Sequence, residues 1–455
     1  MRSSFQGSAG QGRKGFSAVR IVIIIALVTV LAFLVYLVSK RSGDPGKNPA
    51  SATPTAKGKA TAATPSKKPE PSPVAKNIPM ITVNLDELEY RIKGTEDVSM
   101  VSQPGDIRTV GMGKGSTLQV EFDQEPSSYI ISLYKGEELV FSGKTSIIIQ
   151  EDIPANGEYR AVCEAVYDSK EYSGTAKYIF NIKADFPPLP VISATETLPG
   201  ELLVITVKYV DPEDEIKVET DLDFKPNIFD YDNKKVILQP VSYYNKADRV
   251  YSIKLTIGEE THSFAVQVNE KEFAVQNLTI DPKIEAETRN EKSAQERAEK
   301  IDPLRPVCDD VPYWRGDFIM PVEGGRVREY DFGKTRYVNG SPTSYRHNGL
   351  DIGHDEGVPV MASNRGRVLI AEYLIQTGNT VIIEHGFGLK TWYYHMSELN
   401  VKTGDMVEKG QVIGKVGSTG FSTGPHLHFS ASVNSVYINP ITLVNEGVPL
   451  LRIEE

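Results

Sequence analysis

The histidines of this chain are concentrated in its last quarter. Of the seven, only His262 lies outside the stretch from position 347 to 428. His426 and His428, in GPHLHFSASV, are two residues apart in a segment with the period-two alternation of a β-strand. Both side chains therefore leave the same face of one strand, and two imidazoles can share one site.

A second pair of side chains with ligand chemistry lies upstream in RHNGLDIG. His347 and Asp351 bracket an Asn-Gly turn signal, which lets the chain bend so that an imidazole and a carboxylate converge on one ion. A His, Asp, His set suits zinc, because three protein ligands leave a fourth position for water. Such a water deprotonates near neutral pH and can attack a carbonyl, so the pattern indicates a hydrolytic zinc site.

Four motifs together resemble the lysostaphin-type zinc endopeptidases: HNGLD, WYYHMS, GSTGFSTGPHLHF and the run KTGDMVEKGQVIGKVG. The resemblance covers residues 318–443 and implies an antiparallel all-β C-terminal domain that cuts the peptide cross-links of peptidoglycan. It also implies a division of roles among five residues. The zinc ligands are then His347, Asp351 and His428, and the catalytic residues beside the metal water are His395 and His426.

Other polar residues near these motifs receive weaker assignments. Asn339 and Tyr345 lie just before the first ligand, where a groove wall is expected, and are candidates for substrate contact. His354 and His385 are expected to be surface or structural residues rather than ligands. The alternative to an enzyme is a non-catalytic protein, in which an intact peptidase-like domain binds cell wall or a partner as an envelope scaffold or activator.

The N-terminal part predicts a membrane anchor. Residues 21–38, IVIIIALVTVLAFLVYLV, form an uninterrupted apolar run long enough for one transmembrane helix. The run is longer than a usual signal-peptide core and no small-x-small cleavage site ends it, which favours an uncleaved anchor. A modest excess of Lys and Arg before the run places the N-terminus in the cytoplasm and the rest outside the cell membrane. The following Pro/Ala/Lys-rich stretch has almost nothing to bury and is expected to be a linker.

Short alternating apolar runs between Gly, Pro, Asn and Asp indicate that the middle of the chain is all-β. A charged segment, residues 285–301, predicts one solvent-exposed connector helix. Residues before about Leu304 are expected to position the peptidase rather than contribute to its chemistry. The alternative is that the charged helix, together with Arg336 and Asn339, forms a lid over the groove. The predicted order is a cytoplasmic tail (1–20), a transmembrane helix (21–38), a linker (39–79), an immunoglobulin-like β module (80–186), a second β module (187–270), a connector with a helix (271–312) and a zinc metallopeptidase domain (313–447).

Composition excludes two further classes. A formal net charge of -10 lacks the basic footprint of a nucleic-acid-binding protein, so nucleic acid is not an expected partner. With only two cysteines, Cys163 and Cys308, the chain has no disulfide framework, and two unpaired thiols are favoured over one long-range bridge.

Overall fold

The computed structural model describes residues 77–96, 107–328 and 330–454. The prediction of a mainly β chain is confirmed over these residues. The predicted transmembrane helix, residues 21–38, lies outside them. Within the described ranges, no helix has the length and apolar character needed to cross a membrane.

The first β module consists of two sheets around one core. Its strands pair in the orders β2-β1-β4-β7 and β3-β9-β8-β5-β6, with β3 parallel to β9. Buried residues such as Tyr159, Ala161 and Cys163 alternate with more exposed neighbours along β8, as a half-buried strand requires. Cys163 and Cys308 are both unpaired. The immunoglobulin-like classification of this module stays a prediction. The strands are β1 Met80–Leu85, β2 Leu88–Lys93, β3 Thr109–Met112, β4 Leu118–Phe122, β5 Ser128–Lys135, β6 Glu138–Gly143, β7 Ile147–Ile148, β8 Gly157–Asp168 and β9 Ser173–Ala184.

The second β module also has two sheets, in the orders β10-β12-β15-β14 and β11-β17-β16-β13. Its strands are β10 Leu189–Ile192, β11 Glu196–Thr197, β12 Leu202–Lys208, β13 Ile216–Thr220, β14 Ile228–Tyr231, β15 Lys234–Pro240, β16 Arg249–Ile257 and β17 Glu260–Val268.

Strand β15 is buried on both faces, which explains why its sequence, KKVILQP, does not alternate. Ile237 points into the core of the module itself. Val236 and Leu238 point the other way, into a cluster that includes Trp314 and Phe387 of the C-terminal domain. The second module and the C-terminal domain therefore share a hydrophobic core.

The connector contains β18 Val275–Leu278, α1 Pro282–Thr288 and α2 Glu291–Lys300. The prediction of a single helix over residues 285–301 is wrong near its start, because the chain leaves helical geometry at Asn290 (φ -135°, ψ -179°). The Asn290 side chain accepts a hydrogen bond from Ser293 N at 3.1 Å and caps α2. Asparagine is among the preferred N-cap residues, so it starts a second helix rather than continuing the first.

The C-terminal domain is built on an antiparallel sheet of order β21-β29-β25-β24-β23-β27, with β30 paired to β29. A small sheet, β22-β28-β26, packs with it around one core, and the connector strand β18 extends the hairpin β19-β20. Its elements are β19 Thr335–Val338, β20 Ser344–Arg346, β21 Leu350–Gly353, β22 Pro359–Met361, β23 Gly366–Leu374, β24 Gly378–Glu384, β25 Leu389–Met396, β26 Glu398–Leu399, β27 Met406–Val407, β28 Val412–Lys415, β29 His426–Val433, β30 Val436–Ile438 and α3 Pro440–Glu446.

A buried ion pair fastens the end of the connector to this sheet. Lys390 and Glu384 are both fully buried, with Lys390 Nζ 3.1 Å from Glu384 Oε2. The same ammonium donates to the carbonyls of Arg305 (3.2 Å) and Val307 (2.5 Å). Burial raises the pKa of the Glu384 carboxyl and lowers the pKa of Lys390, so each charge depends on the other for stabilisation.

The first prediction concerns this pair. Replacing Lys390 with Met should lower the free energy of unfolding by about 3–5 kcal/mol, because it leaves a buried carboxylate and the carbonyls of Arg305, Val307 and Gly388 without their partner. Urea denaturation of the full-length protein, followed by tryptophan fluorescence, measures the effect. Both tryptophans, Trp314 and Trp392, lie in the C-terminal domain, and Trp314 also packs against the second module, so the signal reports on that domain and on its contact with the module.

The matched control is the double variant Glu384→Gln with Lys390→Met. It leaves no charge buried and should recover most of the lost stability. A Lys390→Met protein as stable as the wild type would show that the pair does not hold the connector.

Candidate metal centre

Three neighbouring strands place the candidate ligands side by side. In the antiparallel pair β21 and β29, Asp351 lies directly opposite His428, and Gly353 lies opposite His426. On the other side of β29, Tyr394 of β25 lies opposite His428. Residues opposite one another share a sheet face, so this register aligns a carboxylate and an imidazole across the sheet.

His347 enters the same site from the end of the β19-β20 hairpin. The turn that follows it brings the backbone of Gly349 against β29, where a Cβ atom would lie 2.3 Å from the Phe429 carbonyl oxygen. Only glycine permits this approach. The turn then leads into β21, so His347 and Asp351 face the same point, as the Asn-Gly signal predicts.

The three predicted ligands converge. His347 Nε2 is 3.0 Å from His428 Nδ1 and 3.1 Å from Asp351 Oδ1, and His428 Nδ1 is 3.1 Å from the same oxygen. Tetrahedral zinc with bonds of about 2.0–2.1 Å requires donor separations of about 3.3 Å. The geometry and the nitrogen and oxygen donors therefore fit zinc after a small expansion.

Hydrogen bonds behind the ligands select which ring nitrogen faces the centre. His347 Nδ1 lies 3.0 Å from the Asp331 carbonyl oxygen, which accepts its proton and leaves Nε2 free. On His428 the opposite nitrogen is engaged, since Nε2 lies 2.8 Å from Ser430 Oγ and 3.0 Å from Asn348 Oδ1. Such outer contacts fix the tautomer and orientation of metal-binding histidines.

Asp351 is held in the same way through its second oxygen. Arg336 is buried and donates from Nη2 to Asp351 Oδ2, while its Nε donates to Gln276 Oε1 at 2.8 Å. Gln276 belongs to the connector strand β18. Gln276, which lies upstream of the predicted peptidase domain, therefore orients Arg336, and Arg336 in turn orients the candidate ligand Asp351.

Electrostatics keeps the donors in the forms that bind metal. Burial by itself would raise the pKa of Asp351, but interactions with His347, His428 and Arg336 outweigh it and hold that pKa well below its usual value. Burial lowers the pKa of His428 to about 4. At neutral pH the carboxylate is therefore ionised and the His428 imidazole is neutral with a lone pair available.

His395 reaches the site through a distortion of β25. The β24-β25 register shifts between Asn379 and Val381, and His395 has a left-handed backbone with φ of 65°. Its Nδ1 donates to the Thr419 carbonyl at 2.8 Å, leaving Nε2 unused. Burial, followed by the proximity of His426, lowers the pKa of His395 to about 3. Strain of this kind is found at functional sites, where surrounding contacts maintain it.

His426 is the fifth member of the group. Its Nδ1 donates to the Gly424 carbonyl at 2.8 Å, and its Nε2 lies 3.7 Å from Asp351 Oδ1. The rings of His395 and His426 have centroids 5.0 Å apart. The Nε2 atoms of these two further imidazoles therefore border the convergence point without belonging to the three-residue cluster.

All five residues line one cleft of about 630 Å³, and Tyr345 lines it too. Asn339, the other predicted substrate contact, is engaged by the connector instead: its side chain donates to Ile280 O at 3.1 Å and to Glu285 Oε2 at 2.7 Å. His385 is fully buried and bonds Arg365 O and Thr391 Oγ1, so its role is structural.

Sequence reasoning missed the supporting residues. Ser430 could have been identified from the sequence, because it follows His428 by two positions on the same strand face. Gln276 could not have been found in this way, because its contact with Arg336 joins strands 60 residues apart in sequence. The connector was expected to position the peptidase or to cover its groove, whereas Gln276, Arg289 and Arg297 line the cleft. The connector is thus one wall of the site.

Comparison with known proteins agrees with this geometry. Residues 345–440 match peptidase family M23. Over 97 residues, the chain is 42% identical to the DD-carboxypeptidase/endopeptidase Mpg of Neisseria meningitidis, covering 21% of this chain and 22% of that protein. Over 106 residues, it is 36% identical to the peptidoglycan DD-endopeptidase ShyB of Vibrio cholerae, covering 23% of this chain and 24% of that protein.

Among solved structures, the catalytic domain of lysostaphin from Staphylococcus simulans is similar, with 32% identity and a TM-score of 0.22. The alignment covers 30% of this chain and 90% of that domain. The chain spans less than a quarter of the length of the two curated relatives, so the likeness concerns the C-terminal domain. The C-terminal part of the chain, residues 345–440, is therefore a peptidase family M23 domain.

Proposed function

We propose that this protein is a membrane-anchored zinc metalloendopeptidase that hydrolyses peptide cross-links of peptidoglycan. The observation that carries the proposal is the convergence of His347 Nε2, Asp351 Oδ1 and His428 Nδ1 within 3.1 Å of one another. The family M23 domain supports it, as do the peptidoglycan-cutting activities named for its relatives.

The three convergent residues would hold the zinc ion, which when bound supplies the Lewis acidity that polarises a peptide carbonyl and activates water. His395 and His426 each present an unused Nε2 to the same space. One can accept the proton of the attacking water, and the other can donate to the oxyanion that develops on the carbonyl. The cleft provides room for a peptide beside these groups.

The anchor belongs to the same proposal. The apolar run at residues 21–38, its flanking charges and the Pro-rich stretch that follows support a single-pass protein with a cytoplasmic N-terminus. The peptidase domain would then lie outside the cell membrane, on a tether that reaches the wall.

The second prediction is that the full-length protein binds about one zinc ion per chain through these three residues. His428→Ala should lose the metal, because it removes a ligand. His426→Ala should retain it, and His354→Ala serves as a control outside the cleft. Metal analysis by mass spectrometry after dialysis measures the content. If His426→Ala loses zinc while His428→Ala keeps it, the assignment within the pair is reversed.

The third prediction is that His395→Ala and His426→Ala keep zinc and fold but lose turnover on the order of a hundredfold or more, because each removes a proton-transfer or oxyanion partner. The rate of cleavage of a soluble cross-linked peptide is the measurement. Rates near wild type in both variants would rule out these roles. A zinc-loaded wild type that digests neither this peptide nor purified cell wall would instead favour a scaffold.

A further inference from the structure

One face of α2 forms a wall of the cleft. Ser293, Glu296, Arg297 and Ile301 all line it, and their spacing of three, four and eight residues is that of a single helical stripe. The opposite side of α2 carries exposed residues such as Lys292 and Gln295. The helix is therefore oriented, with a defined set of side chains directed at the site.

This wall is fastened to the peptidase domain. Glu296 Oε2 accepts a hydrogen bond from the backbone N of Ile375 at 2.6 Å, and Lys300 Nζ lies 3.1 Å from Glu372 Oε2. The ammonium of Lys390 holds the chain directly after the helix. Contacts at its middle, at its C-terminal end and just beyond that end make α2 a fixed part of the cleft.

The cleft has an excess of positive charge. Two carboxylates line it, those of Glu296 and Asp351, and Asp351 is neutralised by Arg336. Such an excess favours an anionic ligand. Five arginines line the same space: Arg289, Arg297, Arg305, Arg336 and Arg346.

Most of these arginines have internal partners. Arg305 pairs with Asp302 at 3.0 Å, and Arg346 donates to the Gly333 carbonyl at 2.8 Å. Arg289 lies over the rings of Tyr345 and Phe421, at 5.5 and 5.2 Å from their centroids.

Arg297 differs from the other four. It is exposed, and it forms neither an ion pair nor a side-chain hydrogen bond within the part of the chain that the structure describes. Its guanidinium therefore remains available for a ligand in the cleft.

We propose that Arg297, on the wall formed by α2, binds a free carboxylate of the peptide substrate. The inference rests on the proposed peptidase function and specifies which substrates it takes. A guanidinium suits this role, because its planar fork binds both oxygens of a carboxylate and keeps its charge at all physiological pH values. Arg289 lines the same cleft and adds positive potential to it, so a peptide with an amide in place of that carboxylate is bound less tightly.

The test uses a set of soluble cross-linked peptides that differ only in which free carboxylate is converted to an amide. For the wild type, one of these amides should raise KM by roughly tenfold or more, the value of a hydrogen-bonded charge pair. Arg297→Gln should raise KM for the unmodified peptide to a similar extent. In that variant, converting the same carboxylate to an amide should not raise KM any further. The kcat value and zinc content should not change. Lys292→Gln, a loss of positive charge on the other side of α2, should behave like the wild type.

Binding measured by calorimetry in a His426→Ala background, where cleavage is slow, separates this inference from the proposed function. Carboxylate-dependent binding without cleavage by the wild type would support the subsite and reject the peptidase. If the wild type cleaves the peptides but Arg297→Gln changes KM equally for every peptide, or for none, the subsite is rejected and the peptidase is retained. An increased rate on every peptide would show that α2 covers the cleft, which also rejects the subsite.

Discussion

The C-terminal domain depends on one constraint, which is that three lone pairs are directed at one point. His347 Nε2, Asp351 Oδ1 and His428 Nδ1 are acceptors within 3.1 Å of one another, in surroundings where His347 and His428 are almost fully buried. Unsatisfied acceptors at this distance cost free energy unless a cation lies between them. A rigid antiparallel sheet is what keeps them together, because its register leaves Asp351 and His428 directly opposite each other.

The contacts behind the ligands extend this constraint outwards. Asp331 O and the pair Asn348 and Ser430 select opposite ring nitrogens on the two histidines. Arg336 takes the remaining oxygen of Asp351 and is itself held by Gln276. These hydrogen bonds end in β18, so the connector is linked to the candidate metal centre by consecutive hydrogen bonds rather than by proximity alone.

The second module and the connector are packed against the C-terminal domain for a related reason. In β15, successive residues enter two different cores, and one of those cores contains Trp314 and Phe387. Removing the second module would expose that apolar surface to water. The ion pair of Lys390 and Glu384 adds a polar attachment further along the chain, at Arg305 and Val307. Such packing gives the cleft walls a fixed spacing, which a peptide-binding site requires.

Each half of the site could be predicted from the sequence because its residues are local, whereas the roles of the five residues came from the resemblance to lysostaphin-type endopeptidases. The spacing of His426 and His428 on one strand and the turn between His347 and Asp351 both follow from backbone periodicity. The mainly β character follows from the same alternation. Helix α2 was partly predictable, since charged helix formers indicate a helix, but the cap at Asn290 depends on one side-chain hydrogen bond.

Only the tertiary structure decided which residues distant in the chain come into contact. Asn339 and Tyr345 lie six residues apart, yet one is engaged by the connector and the other lines the cleft, because the hairpin between them reverses direction. The loss of alternation in β15 has no explanation within its own segment, since its second face is buried by another domain. The role of α2 as a wall likewise depends on where Glu296 and Lys300 find partners. Sequence periodicity determines which face of an element is apolar or polar, whereas the fold determines what that face meets.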